Sequence, residues 1–348
     1  MTRVTMCIVF YNHEEFVYDA LEGAVNQSYE NYDLIIRDDA STDRTQDLIR
    51  EYFSKNEFAK GDLILDLATQ NEGLIRSLNR ILMLSRNEII VSQSGDDISL
   101  PDRIRKSVAL LEKYDVDLVS CDAMIINSEG SIVAESWFEQ TKGPMYRLLM
   151  STDGGQITIR DPNDLELYST VLPGFGFTYR KRLFLDMKLP DHITYEDYYM
   201  TFLAFMNRGA IVIKDVLVCY RRHSDNMSKK YFKTQEAFRF YQSNWLRKKI
   251  DVVRAQLEYM QIAKMNQNNN NVGRIWRFLE MNLSLLRFNL AIFTHEKVHN
   301  RIKLLSSMVK ISDISIKRKL YFLYGFIFPE KFIRRAFAKS NKINAFES

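Results

Sequence analysis

Short apolar runs alternate with one-sided helical patterns through the first third of the chain. Five runs rich in aliphatic and β-branched residues have the length of a strand: 4–10, 33–38, 62–68, 88–93 and 116–121. The segments between them carry apolar residues at three- and four-residue spacing, which is typical of helices with one buried face. This alternation predicts an α/β domain with a largely parallel sheet.

The alternation is lost over residues 122–170, which are rich in Gly, Ser and Asp and predict only a short helix near 145–150. Loops of this length often carry function. Order returns with a predicted helix over 198–209 and two predicted strands over 211–215 and 216–222.

Helical patterns continue from Tyr231 almost to the last residue. The tract QNNNN at 267–271 interrupts them and predicts a loop between helical hairpins. We therefore predict an α/β domain over 1–230 and a helical extension over 231–348.

The two parts carry charges of opposite sign. Residues 1–234 hold 27 Lys and Arg against 36 Asp and Glu, a net charge of −9, whereas residues 235–348 hold 21 against 8, a net charge of +13. A basic tail of this kind suits nucleic acid, an acidic partner or an anionic membrane, and its charge does not distinguish among them.

Cysteine usage and hydropathy predict a cytoplasmic protein. Cys7, Cys121 and Cys219 lie far apart and form no CxxC pair, which favours a reducing compartment and no zinc site. The apolar run at the N-terminus is too short for a signal peptide, and no stretch has 18 consecutive apolar residues. Peripheral binding to the inner face of the cytoplasmic membrane is compatible with these features.

Carboxylates follow two of the predicted strands. Asp38 and Asp39 come after the second strand, and Asp96 and Asp97 after the fourth. Ligands of doubly wound sheets bind beyond the carboxyl ends of the strands. The chain contains neither GxGxxG nor GxxxxGK[ST], which argues against dinucleotide-dependent redox chemistry and P-loop hydrolysis. Adjacent carboxylates instead suit Mg²⁺ or Mn²⁺, which would stabilise a departing diphosphate.

Six motifs stand in order between residues 2 and 228. The most specific is NQSYENYDLIIRDDASTDRT, and the others are VTMCIVFYNHEEFV, NEGLIRSLNRILMLSRNEIIVSQSGDDISLPDRI, PGFGFTYRKRLF, TYEDYYMTF and YRRHSDNMS. This set resembles glycosyltransferase family 2, the inverting enzymes of the GT-A fold. The resemblance implies that residues 1–230 form a GT-A nucleotide-sugar-binding and catalytic domain. It would move a sugar from a nucleotide diphosphate sugar, expected to be UDP-linked, to a growing glycan.

The resemblance also implies how the donor is held. Asp39 would accept a hydrogen bond from the nucleobase, and Phe10 and Tyr11 would line the base pocket. The family often has an Arg where this chain has Leu78, and Arg76 is the candidate to replace it at the phosphates.

The metal centre and the catalytic acids follow from the same comparison. Asp97 would bind Mn²⁺ or Mg²⁺, and Asp96 would contact the ribose or hold a metal ligand in place, or the roles of the two are exchanged. His223 would ligate the metal or donate to the diphosphate. Asp197 would be the base that deprotonates the acceptor, with Glu196 orienting the acceptor hydroxyl.

Glycines and the basic tail complete the predicted contacts. Gly174 and Gly176 would let the backbone approach the donor sugar or the acceptor closely. Aromatic residues stand between basic clusters over 317–337, as in interfacial helices, so an anionic membrane surface is one candidate partner. Core packing or oligomer contact is the equal alternative, and nucleic acid is not expected because no recognised module accompanies the charge.

The implied pathway is assembly of capsule, O-antigen or a related surface polysaccharide, with a glycan or lipid-linked glycan as acceptor. One competing hypothesis is a sugar nucleotidyltransferase, but the Gly-rich N-terminal loop of those enzymes is absent. The other is a catalytically silent scaffold that binds nucleotide sugar in a membrane assembly. Asp39, Asp97 and Asp197 argue against it, since a silent relative need not keep them.

Overall fold

A mixed sheet flanked by helices dominates the computed structural model, which describes residues 1–152, 154–160, 171–184, 188–224, 226, 234–263, 270–294, 332, 333, 335 and 336. The strands are β1 Val4–Phe10, β2 Tyr32–Asp38, β3 Leu63–Leu67, β4 Ile89–Ser94, β5 Ile98–Ser99, β6 Leu118–Ile126, β7 Ile132–Ala134, β8 Gln156–Ile159, β9 Thr178–Arg180 and β10 Ala210–Arg221. The helices are α1 Val17–Val25, α2 Thr45–Lys55, α3 Leu74–Leu84, α4 Arg103–Tyr114, α5 Trp137–Thr141, α6 Pro144–Met150, α7 Glu196–Met206, α8 Gln235–Ile262 and α9 Asn270–Phe293. Two short 3₁₀ turns span Gly174–Gly176 and Lys181–Phe184.

The described strands form one sheet in the order β3-β2-β1-β4-β9-β6-β10-β5, with β7 paired to β6 and β8 to β10. β1 runs parallel to β2 and β4, β2 to β3, and β6 to β10. β9 is antiparallel to both β4 and β6 and joins the two parallel halves. The predicted α/β class is confirmed, and the antiparallel strands make the sheet mixed.

Burial explains why the N-terminal half of the sheet could be predicted from the sequence. Both faces of β1 and β2 are covered, so these strands are nearly continuous apolar runs. α1 packs on one face through Val17, Ala20, Leu21 and Ala24, the spacing of a one-sided helix. Because β1, β2 and β4 are parallel, their carboxyl ends lie at one edge of the sheet.

Part of the predicted segmentation was wrong. The two strands predicted over 211–215 and 216–222 are the single strand β10, whose pairing with β6 shifts register between Val212 and Val218. Strands β5, β7 and β8 and helix α5 were not predicted, because elements of two to five residues are too short to show a period.

The chain divides into two compact units, residues 1–191 with 196–223, and residues 192–195 with 224–348. In the second unit α8 packs against α9. Asn270 begins α9, so the end of the predicted QNNNN loop is helical, while 264–269 and most of the aromatic basic segment at 317–337 lie outside the described residues. Within the ranges that the structure describes, no helix is both long and apolar enough to span a bilayer.

Candidate active site

The loops after β1 and β2 are tied together at the carboxyl edge of the sheet. Asn12, with φ of +56°, accepts a hydrogen bond through Oδ1 from the Thr42 amide at 2.8 Å. Asp38 accepts from the Ser41 amide at 2.9 Å and from Gln46 Nε2 at 2.6 Å. Asp38 is therefore a turn-forming residue, and the left-handed conformation of Asn12 is one that Asn tolerates.

Asp39 anchors the loop that leads into α3. Its Oδ2 accepts the Gly73 amide at 2.7 Å, and its Oδ1 accepts the Glu72 amide at 3.1 Å and Arg37 Nη2 at 3.4 Å. A carboxylate offers about four acceptor positions, so three N–H donors leave one for a ligand. Recognition of the nucleobase by Asp39 stays a prediction with that one position to serve it.

Phe10 does not line a base pocket, contrary to the sequence-based prediction. It is fully buried in the core, and a Cβ added to Gly95 would lie 2.3 Å from its Cδ1 atom. Tyr11, the next residue, is 44% exposed and is left as the aromatic candidate for the base. Arg76 is exposed on the first turn of α3, the helix that Asp39 anchors, and stays the candidate for the phosphates.

Asp96 and His223 form a polar pair at the end of β4. Asp96 Oδ2 lies 3.2 Å from His223 Nε2, and Ser94 Oγ donates to Asp96 Oδ1. Burial alone would raise the pKa of Asp96, but the His223 contact, the nearby His13 and the Ser94 hydroxyl outweigh it and lower that pKa. Asp96 is therefore an ionised carboxylate beside an imidazole.

Asp97 points away from this pair into the protein. It is 2% exposed, and its Oδ1 accepts the Arg221 amide at 2.9 Å. Burial and the adjacent charge of Asp96 raise the pKa of Asp97 well above its usual range. With its Oδ1 accepting the Arg221 amide and its side chain more deeply buried than that of Asp96, Asp97 has less to offer a cation, so this geometry favours exchanging the roles first given to Asp96 and Asp97.

The Asp96–His223 pair fits a divalent cation that shares its ligands with substrate. Neighbouring ligands of an octahedral Mg²⁺ lie about 3 Å apart, since each bond is about 2.1 Å. Asp96 Oδ2 and His223 Nε2 are hydrogen-bonded at 3.2 Å, close to this spacing, so a cation bound between them would replace that hydrogen bond. No set of three or more His, Cys, Asp or Glu side chains suited to a metal occurs in the described part of the chain, so diphosphate oxygens and water would complete the shell.

Glu196 and Asp197 open α7 side by side. Glu196 is partly buried, and burial together with the Asp197 charge raises the pKa of Glu196 from 4.5 to about 8. Asp197 Oδ1 accepts the Tyr198 amide at 2.8 Å. One member of the pair thus holds a proton at neutral pH, and the two neighbours differ in what they offer a substrate hydroxyl.

The two predicted glycines have different surroundings. A Cβ on Gly174 would lie 3.4 Å from Asp197 Cβ and 3.7 Å from Glu196 Oε1, so Gly174 adjoins the acid pair. A Cβ on Gly176 would lie 2.8 Å from the Cys121 amide nitrogen and 2.9 Å from Cys121 Sγ. Gly176 therefore permits close packing on β6, and the ligand contact predicted for it is wrong.

Three positioning residues were missed from the sequence. Arg103 is fully buried and donates through Nη2 to the Phe175 carbonyl at 2.8 Å, which fixes the glycine turn. Asn79 clamps the Leu189 amide at 2.8 Å and its carbonyl at 2.9 Å, ahead of the acid pair. Arg221 donates through Nε to the Asp96 carbonyl at 2.9 Å. All three lie inside motifs quoted above, but none was given a role there; Arg103 also extends the buried stripe that Ser107 and Leu111 form along α4.

Sequence comparison finds relatives for part of the chain. The family model described as "Glycosyl transferase family 2" matches residues 5–182, about half of the chain. The putative glycosyltransferase EpsE of Bacillus subtilis is 36% identical over 112 residues, 32% of this chain and 39% of EpsE. The poly(ribitol-phosphate) beta-N-acetylglucosaminyltransferase TarS of Staphylococcus aureus is 22% identical over 244 residues, 68% of this chain and 39% of TarS. The matches to EpsE and TarS thus span about two fifths of each relative's length.

Solved structures agree on the fold. TarS 1–349 of S. aureus in complex with UDP-GlcNAc superposes with a TM-score of 0.53 at 16% identity, over 89% of this chain and 92% of that one. The mannosyltransferase PcManGT of Pyrobaculum calidifontis, in complex with GDP-Man and Mn²⁺, has a TM-score of 0.56 at 16% identity, over 98% and 85%. The predicted GT-A fold with C-terminal helices is confirmed.

Proposed function

Because this chain belongs to glycosyltransferase family 2, we propose that it moves one sugar from a nucleotide diphosphate sugar to an acceptor hydroxyl with inversion at the anomeric carbon. The observation that carries this proposal is the acid pair Glu196–Asp197 at the start of α7, in the same compact unit as the Asp96–His223 pair. The first supplies a base for an acceptor, and the second suits the charge of a leaving diphosphate.

Asp197 is the proposed base. It takes the proton of the acceptor hydroxyl while that oxygen attacks the anomeric carbon from the face opposite the diphosphate. The new C–O bond forms as the bond to the diphosphate oxygen breaks, and the electron pair leaves with the diphosphate. Glu196, protonated at neutral pH, donates a hydrogen bond that orients the acceptor.

Asp96 and His223 are the proposed ligands of Mg²⁺ or Mn²⁺. Asp97 is buried beside them and holds the end of β10 by accepting the Arg221 amide. A bound divalent cation neutralises the negative charge that develops on the departing diphosphate. Arg76, exposed at the start of α3, adds a positive charge for the same group.

We propose a UDP-linked donor, with Asp39 and Tyr11 at the base. The relative TarS is named an N-acetylglucosaminyltransferase, and its structure holds UDP-GlcNAc, whereas PcManGT holds GDP-Man. The proposed acceptor is a glycan or lipid-linked glycan of a surface polysaccharide such as capsule or O-antigen. The name of TarS, which acts on poly(ribitol-phosphate), supports a polymer of this kind. We also propose that the basic tail binds the inner face of the cytoplasmic membrane.

Protonation of Glu196 predicts that kcat/KM depends on pH. Below pH 8 the carboxylic acid donates to the acceptor; above pH 8 it ionises, and kcat/KM with respect to acceptor is expected to fall. Glu196→Gln keeps a donor at every pH, so its kcat/KM profile should stay flat where the wild-type profile declines. The same fall in kcat/KM near pH 8 in wild type and in Glu196→Gln would contradict the role of Glu196 as a hydrogen-bond donor.

The same group links stability to pH. The pKa of Glu196 in the folded protein, about 8, exceeds its ordinary value of 4.5. The contribution of Glu196 to the free energy of unfolding is therefore fully present below pH 4.5 and is lost as pH rises through 8. Thermal melts from pH 5 to pH 9 should therefore show a smaller loss in Tm for Glu196→Gln than for wild type.

The direct test of the function is nucleotide release from a panel of UDP- and GDP-sugars, with and without Mn²⁺. Release from one donor in preference to the rest, dependent on Mn²⁺, would support the proposal and identify the sugar. Binding of a donor without release under any condition would instead favour the catalytically silent scaffold.

A further inference from the structure

Three aromatic side chains form a row next to the acid pair. Trp137 on α5 and Phe175 in the glycine turn have ring centroids 5.6 Å apart, and Phe175 lies 5.1 Å from Tyr220 on β10. All three rings are partly exposed, so they present surface as well as packing on the core. We refer to Trp137, Phe175 and Tyr220 as the aromatic row.

Two members of the row are chain neighbours of residues at the two chemical centres. Phe175 follows Gly174, the residue whose Cβ position is 3.4 Å from Asp197. Tyr220 precedes Arg221, whose amide donates to Asp97 and whose Nε donates to the Asp96 carbonyl. We therefore expect a sugar on the middle of the row to bring a hydroxyl toward the base.

The row is held by buried polar contacts. Arg103 Nη2 donates to the carbonyls of Phe175 at 2.8 Å and Phe177 at 3.3 Å. On the other side, buried Asp122 accepts from the Ser136 hydroxyl and from the Phe138 amide at 3.1 Å, which fixes the start of α5 on both sides of Trp137. A platform fixed in this way loses little entropy when a ligand binds.

We propose that Trp137 binds the terminal sugar of the acceptor by stacking against the C–H face of its pyranose ring, while Phe175, whose ring stands at 76° to that of Trp137, contacts the edge of the sugar. The proposal rests on the function given above and adds the residue that selects the acceptor. A pyranose carries hydroxyls around its rim and an apolar face, which suits an aromatic ring with polar groups beside it. Gly174, which precedes Phe175, lies next to the proposed base Asp197, and the base acts on the acceptor. We therefore assign the aromatic row to the acceptor rather than to the donor.

Two substitutions at Trp137 separate stacking from bulk. Trp137→Leu keeps apolar volume but removes the aromatic face, and Trp137→Phe keeps an aromatic face. With methyl glycosides of hexoses and N-acetylhexosamines as acceptors, Trp137→Leu is expected to raise the KM for the glycoside about 10-fold and to change the KM for the donor far less. Trp137→Phe should restore most of the loss, and Tyr18→Leu, at a 43% exposed aromatic residue on α1, should alter neither constant.

Intrinsic fluorescence tests the row without turnover. The chain has three tryptophans, so Trp245→Phe with Trp276→Phe leaves Trp137 as the single emitter. In the presence of UDP, saturable change of its emission by at least one methyl glycoside is expected. An unchanged KM in folded Trp137→Leu, or no emission change with any glycoside, would overturn the proposal. Failure of wild type to release nucleotide from any donor would refute the proposed function instead, while the titration still reports on the row.

Discussion

Replacing Asp197 with asparagine is expected to lower kcat for sugar transfer by about 10³-fold, because asparagine keeps the shape of the side chain but cannot take a proton from the acceptor. The local fold should survive, since the asparagine Oδ1 atom can still accept the Tyr198 amide that Asp197 accepts at 2.8 Å. The KM for the donor should change little, because the base acts on the acceptor. Steady-state kinetics with varied donor and varied acceptor separate these effects.

A matched control lies immediately before α4. Asp102 is a partly exposed acid whose ion pair with Arg105 measures 2.7 Å, and Asp102→Asn should leave kcat within about 2-fold of wild type. Asp197→Asn should also lower the pKa of Glu196, because the Asp197 charge is one of the two causes that raise it. Retention of more than about a tenth of the wild-type kcat by Asp197→Asn would exclude Asp197 as the base.

Asp96→Asn is expected to weaken Mn²⁺ binding about 100-fold, since it removes an ionised carboxylate beside His223. Asp97→Asn should change the affinity by less than about 3-fold, well below the loss usual for a metal-site partner. The reason is that Asp97 is buried and its Oδ1 accepts the Arg221 amide, a role that the amide oxygen of asparagine can fill. Titration of Mn²⁺ by electron paramagnetic resonance, with UDP present, measures binding without turnover.

The two variants are each other's control, because they make the same chemical change at adjacent positions. A loss of Mn²⁺ affinity confined to Asp97→Asn would restore the assignment first made from the sequence. Thermal melts of both proteins identify any loss caused by unfolding, which is a risk at Asp97 because its side chain is buried at 2% exposure.

The parallel half of the sheet was predictable because β1, β2 and β4 are covered on both faces and therefore read as apolar runs. Short antiparallel pieces such as β7 and β9 carry three residues each, too few to show a period. The bulged pairing of β10 with β6 made one strand look like two, because a register shift breaks the alternation that separates the faces.

The site was predictable as a set of positions, but the direction of each side chain was not. Asp96 and Asp97 are adjacent in the chain, and which one faces His223 depends on the Arg221 amide, which lies 124 residues away in sequence from Asp97. Phe10 ends β1 with its ring in the core, and Gly95 on the neighbouring strand end leaves room for that ring. Trp137 lies in a five-residue helix between irregular segments, where no periodic pattern marks it.

The most direct test of the central claim is the anomeric configuration of the first product formed from an α-linked UDP-sugar, followed by ¹H NMR as the reaction proceeds. An enzyme that inverts the anomeric carbon will release UDP with the β anomer appearing first, because the acceptor attacks opposite the diphosphate. In Asp197→Asn, the signals of released UDP and of the β-anomeric product should both be lost. First appearance of the α anomer, or no UDP release from any donor in the panel, would contradict the central claim.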